Sequence, residues 1–160
     1  MKKKVFGFLI AILFTFCGVA QQSNIKFRHL TIKDGLSQSD VITIFQDSKG
    51  LMWFGTQDGL NLYNGFDFQV FSHDLSDTNS TSNNYIHGIL EDKNGLIWLA
   101  TDNGLNVFNT GSYNFKSILN SKKNSKEKFQ IWALEEDNQY IWVGTDKELL
   151  MVDKKTFESS

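Results

Sequence analysis

A chain of 160 residues with 41% apolar and 21% charged side chains is long enough for one domain and apolar enough to bury a core, which excludes wholesale disorder. The formal net charge is −2; the first twenty residues hold three lysines and no acid, so the remainder has 13 basic and 18 acidic side chains, net −5. That mildly acidic body argues against a nucleic-acid or other polyanionic partner. Aromatic residues reach 14%, with 14 Phe and 4 Trp, and proline is absent. Aromatics favour strands, while the plentiful Gly, Asn and Asp favour tight turns, so the expected class is all-β with many short strands.

Lys2, Lys3 and Lys4 precede an apolar run from Val5 to Phe16, followed by Gly18-Val19-Ala20. This is the charged, apolar and small-residue sequence of a secretory signal, read as a signal-peptide helix over 1–20 cut between Ala20 and Gln21. The run is too short for a membrane span, which needs about 20 apolar residues. A lipid-modified Cys17 is discounted because the bulky Phe16 precedes it. Cys17 is the only cysteine and leaves with the signal, so the mature chain has neither disulfide nor thiolate metal site.

Residues 21–40 follow, with Asn24–Leu30 read as a lone strand and then a loop. In a closed ring such a strand would complete the last blade and remove an exposed edge. From there the chain repeats. IFQDSKGLMWFGTQDGLNLYN from Ile44 aligns without a gap on ILEDKNGLIWLATDNGLNVFN from Ile89, an offset of 45 residues. ALEEDNQYIWVGTDKELLMVD from Ala133 reads as a third copy at an offset of 44. Gly50 and Gly95, Trp53, Trp98 and Trp142, Thr56, Thr101 and Thr145, and Gly59 and Gly104 hold equivalent places. Gln139 and Glu148 replace glycine in the third copy.

The first copy reads as strands at 42–46, 51–56, 60–63 and 66–72, with Asn64-Gly65 as a type I′ hairpin turn. Four short antiparallel strands in a 40–45-residue period specify a propeller blade. Blade 1 is assigned to 41–84, blade 2 to 85–128 and an incomplete blade 3 to 129–160. The repeated Trp suits a gap between blades if its N–H finds a partner. Gly55, Ala100 and Gly144, two residues on, leave room for a neighbouring blade. The polar segments 73–84 and 120–128 read as inter-blade loops too polar to pack.

MWFGTQDGLNLYNG, IWLATDNGLNVFN and FRHLTIKDGLSQSDVITIFQD closely resemble the two-component-regulator propeller repeat, over about residues 25–157. Lys147-Glu148-Leu149 departs from the family's Asp-Gly-Leu and puts that turn's geometry in question. The resemblance implies the periplasmic sensor part of a hybrid histidine kinase. Its partners would be the remaining blades of the same receptor, a carbohydrate ligand and a second copy in a full-length homodimer. The chain itself then carries no catalysis, and it is read as stopping in the last strand of blade 3, near Phe157.

No catalytic, metal or cofactor group is expected from the residues. His29, His73 and His87 are isolated. Asp47, Asp92, Asp58 and Asp102 recur in turns, where Asp bonds its own backbone more readily than it builds a calcium site. The Asp47, Gly50, Trp53 spacing departs from the sialidase Asp-box, since Gly follows Asp by three residues and Met52 stands where the box has Thr. Trp132, outside the repeat, is the one candidate for contact with a ligand. An exported propeller lyase or glycosidase and an exported protein-binding scaffold remain as alternative functions. A WD-type scaffold is disfavoured because Phe54, Leu99 and Val143, not Asp, follow the repeated Trp.

Overall fold

A computed structural model of the chain describes residues 26–119 and 130–160. The export signal, Cys17, the cleavage point at Ala20 and Gln21, and the Lys-rich loop 120–128 lie outside the described residues. Three antiparallel sheets follow in chain order. The first contains β1 (Val41–Gln46), β2 (Met52–Thr56), β3 (Gly59–Tyr63) and β4 (Phe68–Phe71). The second contains β5 (Ile86–Glu91), β6 (Leu96–Thr101), β7 (Gly104–Asn109) and β8 (Asn114–Leu119). The third contains β9 (Ile131–Glu136), β10 (Tyr140–Thr145) and β11 (Leu149–Asp153). Each is a meander, and β1, β5 and β9 lie side by side, so successive sheets pack face to face in the manner of propeller blades. After β11 the chain returns along that strand, where Val152 bridges Ser159 and Met151 and Ser160 exchange backbone hydrogen bonds.

Alternation along the strands divides the core in two. In β6, Ile97 and Leu99 turn back to Trp53, Leu60 and Leu62 of the first sheet, with Ile86, Phe108 and Phe115 beside them. Trp98 and Ala100 turn forward to Ile131, Ile141, Val143 and Val152 of the third sheet. The second sheet is therefore buried on both faces. Gly55 sits at the first junction, where an added Cβ would lie 2.8 Å from Ile86 Cγ2 and 2.6 Å from Thr43 Cγ2. The next sheet can close on the first only because that position lacks a side chain.

Three local expectations are corrected. Of the segment Asn24–Leu30, residues 26–30 are described; they pair with no described strand, and Phe27 is 83% exposed. The segment then makes a short 3-10 turn at Ile32–Asp34, capped by reciprocal Thr31–Asp34 hydrogen bonds and ended by left-handed Gly35. Asn64-Gly65 is not a type I′ turn, because only Gly65 has a positive φ. Instead Asn64 Oδ1 accepts the N–H groups of Phe66 and Asp67, each at 2.8 Å, and this Asx turn delays β4 to Phe68. The 73–84 loop does pack at its end: Thr81 is fully buried.

The third correction concerns register. The third copy's inner strand is offset by 45 residues, not 44: Ala133 pairs with Gly144 as Gly88 pairs with Ala100. The missing residue lies in the following turn, where Asp137-Asn138-Gln139-Tyr140 closes with Asp137 N donating to Tyr140 O at 3.0 Å. The longer turns of the first two sheets need a left-handed Gly50 or Gly95, and the shortened one does not. An ungapped alignment therefore misplaces β9 by one residue, which exchanges its two faces.

Candidate functional site: a variable row on the inner strands

The invariant part of each repeat has a structural task. Asp47 Oδ2 accepts the Trp53 indole N–H at 2.9 Å, while its Oδ1 accepts Lys49 N and Leu51 N at 3.0 and 2.9 Å. Asp92 makes the same three bonds with Trp98, Asn94 and Leu96, at 3.0, 2.8 and 3.0 Å. Asp137 does so with Trp142, Gln139 and Tyr140, at 2.8, 2.8 and 2.7 Å. One carboxylate thus folds the turn and supplies the partner the buried indole requires. The N–H groups of Tyr140 and Gln139 and the Trp142 indole hold the Asp137 carboxyl below the ordinary range of an aspartate.

The second turn of each repeat is built on threonine. Thr56 Oγ1 donates to Gly59 O at 3.0 Å and accepts Asp58 N at 3.0 Å; Thr101 repeats this with Gly104 and Asn103, at 2.8 and 3.1 Å. Thr145 donates to Glu148 O at 2.8 Å, so the turn survives without glycine there. Ser37 and Ser82 fasten the approach to each sheet. Asn61 Oδ1 accepts Ser37 N at 2.8 Å, and Asn106 Oδ1 accepts Ser82 N at 3.0 Å. The third copy has Leu150 where these asparagines stand. Its inter-sheet contact remains: Glu91 takes Ser48 N at 2.6 Å, and Glu136 takes Lys93 N at 3.0 Å. Burial acts to raise the Glu136 carboxyl. Hydrogen bonds from the Lys154 ammonium and Lys93 N–H outweigh it and bring the carboxyl below its usual range.

With register corrected, Ile42, His87 and Trp132 occupy one repeat position, the second residue of β1, β5 and β9. Trp132 is therefore not outside the repeat, and His87 is not isolated. The His87 and Trp132 rings lie 4.2 Å apart between centroids, and Tyr85 stacks on His87 at 4.5 Å. Asp102, at the turn between β6 and β7, accepts from His87 Nε2 at 2.6 Å and from Gln130 Nε2 at 3.1 Å. Hence Asp102 bonds neighbouring side chains rather than its own turn, where Thr101 accepts the Asn103 N–H. Trp132 is 53% exposed, whereas the His87 side chain is 5% exposed. His73 stands apart, with Nδ1 2.6 Å from Thr81 O. Among the described residues no group of three His, Cys, Asp or Glu side chains converges on a metal position.

The outcome is an exposed indole on an aromatic stack, edged by an amide and a carboxylate. Such a surface suits stacking on one face of a ring-shaped ligand while hydrogen-bonding its polar edge.

Comparison with known proteins agrees with this architecture. The pattern described as "Two component regulator propeller" matches residues 35–58 and 80–103, each running from the approach segment through the second turn. Histidine kinase P4 of Formosa agariphila is 44% identical over 79 residues, which are 48% of this chain and 6% of that protein. The extracellular domain of the hybrid two component system BT3049 of B. thetaiotaomicron superposes with a TM-score of 0.68 at 19% identity, over 88% of this chain and 19% of that one. That of BT4673, from the same organism, gives 0.65 at 24% identity, over 88% and 18%. The chain thus spans a small part of each relative. At these identities the solved domains establish the propeller fold, and residues 35–58 and 80–103 match the two-component-regulator propeller pattern.

Proposed function

We propose that this chain is a ligand-sensing blade segment of an exported two-component receptor, and that Trp132 is its contact residue. The observation that carries the site is the row Ile42, His87, Trp132. The Asp, Trp and Thr of each repeat keep their identity and bonds, yet this row changes from apolar to imidazole to indole at one fixed position. A framework that keeps the Asp, Trp and Thr of each turn and varies a row that is exposed at Ile42 and Trp132 has the form of a recognition surface.

The receptor assignment is supported by the charged and apolar leader at 1–20 and by the likeness to Histidine kinase P4 and to extracellular domains of hybrid two component systems. On this reading the blades lie outside the cytoplasmic membrane and the kinase belongs to another part of the receptor. A carbohydrate is the proposed ligand, since a pyranose offers an apolar face to Trp132 and hydroxyls to Gln130 and Asp102. Signalling requires that the sugar bind one receptor state better than another.

The test is titration of the chain with a panel of neutral and acidic oligosaccharides, followed by tryptophan fluorescence and calorimetry. Trp132→Ala is expected to weaken binding about tenfold or more, a loss of about 1.4 kcal/mol, while leaving the thermal transition in place. Equal affinity in the variant would remove Trp132 from the site. Absence of binding by the panel, in the chain and in the full receptor, would remove the carbohydrate.

A further inference from the structure

The second turn of each later unit closes on the start of its own inner strand: Asp102 N donates to Tyr85 O at 3.3 Å, and Asp146 N to Gln130 O at 3.2 Å. Each unit thus presents three residues at this end of the array, Tyr85, His87 and Asp102 in the second and Gln130, Trp132 and Asp146 in the third. Asp102 stands at the junction of the second and third sheets and bonds a residue of each, His87 and Gln130. We infer that Asp102 selects the ligand by charge, and that the ligand is an amino sugar with a free ammonium group. The inference rests on the reading of Trp132 as a sugar contact given above.

The two oxygens of Asp102 are used unequally. Oδ1 accepts both His87 Nε2, at 2.6 Å, and Gln130 Nε2, at 3.1 Å, while Oδ2 accepts nothing among the described residues. The side chain is 20% exposed, and no buried side-chain polar atom of the described residues lacks a partner, so Oδ2 is open to solvent. A carboxylate oxygen only accepts, so a ligand must bring a donor to it. Gln130 is committed the same way: its amide nitrogen is bound to Asp102, which leaves Oε1, another acceptor, as the group it offers. Tyr85, His87 and Trp132 follow one another with ring centroids 4.5 and 4.2 Å apart, and the face of an aromatic ring attracts a cation. The inner-strand starts and second turns carry Asp40, Asp58, Asp102, Asp146 and Glu148, and Lys147 is the one lysine or arginine among the described residues of those segments. An anionic ligand is repelled there and a neutral one gains an ordinary hydrogen bond. A cationic one gains a charge-assisted bond of about twice the strength. An amino sugar joins both demands in one rigid body, an apolar ring face for Trp132 and an ammonium for Asp102 Oδ2.

The experiment titrates the full chain at about pH 6, where amines are protonated and carboxylates ionised. The probes are a glucosamine trimer, its fully N-acetylated form, which keeps the rings and loses the charge, and a uronate trimer. The glucosamine trimer is expected to bind about tenfold tighter than the acetylated form, with the uronate weakest and added salt narrowing the gap. Asp102→Asn should reduce the preference to about twofold or less, with a circular dichroism spectrum that matches the parent. Equal affinity for the two glucosamine forms would overturn the charge selection while leaving Trp132 as a sugar contact. A preference that survives Asp102→Asn would remove Asp102 as its source. Spermidine binding as tightly as the glucosamine trimer would overturn the requirement for a sugar ring. Failure of every trimer to bind would overturn the sugar reading and this inference with it.

Discussion

Asp92 performs two tasks with one carboxylate. Its Oδ1 replaces backbone acceptors inside a turn, and its Oδ2 accepts the N–H of a Trp98 that is fully buried. Truncation to alanine would strip the turn of both bonds and leave the indole unsatisfied in the core. Asp92→Ala is therefore expected to destabilise the chain by about 3 kcal/mol, and Asp92→Asn, which keeps an acceptor on one side only and turns its amide N–H groups toward donors on the other, by about 2 kcal/mol. Urea denaturation followed by tryptophan emission measures both. Asp137 makes the same bonds at the exposed end of the array, where its carboxyl is held below the ordinary range by the Tyr140 and Gln139 N–H groups and the Trp142 indole. A depressed folded value means that the associated stability is fully present above the unfolded value and is lost as the pH falls through the folded one. Acidification from neutrality should therefore lower the melting temperature more in the parent than in Asp137→Asn. The two curves should draw together below about pH 3–4; parallel curves would show that Asp137 does not titrate with unfolding.

Packing between elements rests on small residues at the middle of each second strand. The position that would hold a Cβ on Gly55 is 2.9 Å from Ile86 Cβ, within the contact that joins the first two sheets. At Gly144 the nearest atom is Ala133 Cβ at 3.3 Å, in its own sheet. Gly55→Ala should cost about 2 kcal/mol by forcing the sheets apart, and Gly144→Ala less than about 1 kcal/mol. Chemical denaturation of the two variants separates them. The strands of the first two sheets could be read from the sequence because side-chain alternation and Asp/Gly turns coincide there. The roles of Trp53, Trp98 and Thr56 were legible for the same reason. The Asp–Trp bond was not inferred, although the spacing from Asp47 to Trp53 and from Asp92 to Trp98 is the same. The row of Ile42, His87 and Trp132 stayed hidden because one residue is missing from the Asp137 turn, and a pairwise alignment cannot tell on which side of Asp137 the gap falls. Backbone pairing decides it. The buried end of the 73–84 loop was equally unreadable, since a threonine in a polar run gives no local sign of burial.

For the whole molecule, the decisive property is that each junction is made by the same few contacts. The forward Trp, the rearward apolar set and the Glu-to-turn bond recur between the first and second sheets and again between the second and third. Stability in such an array is a sum of unit and neighbour terms, so no sheet depends on one far along the chain. The row on the inner strands lies outside those contacts, with Trp132 held by His87 and edged by Gln130. These two facts together separate inheritance of the scaffold from inheritance of its specificity. Unequal crossing-over between gene segments of 45 codons would insert or remove a unit whose junctions already fit. A nucleotide change at the exposed Trp132 would then alter what the array can recognise while the Asp–Trp, apolar and Glu-to-turn contacts stay in place. A lineage of such genes can explore new chemistries at the mouth of the array while its assembly code stays fixed.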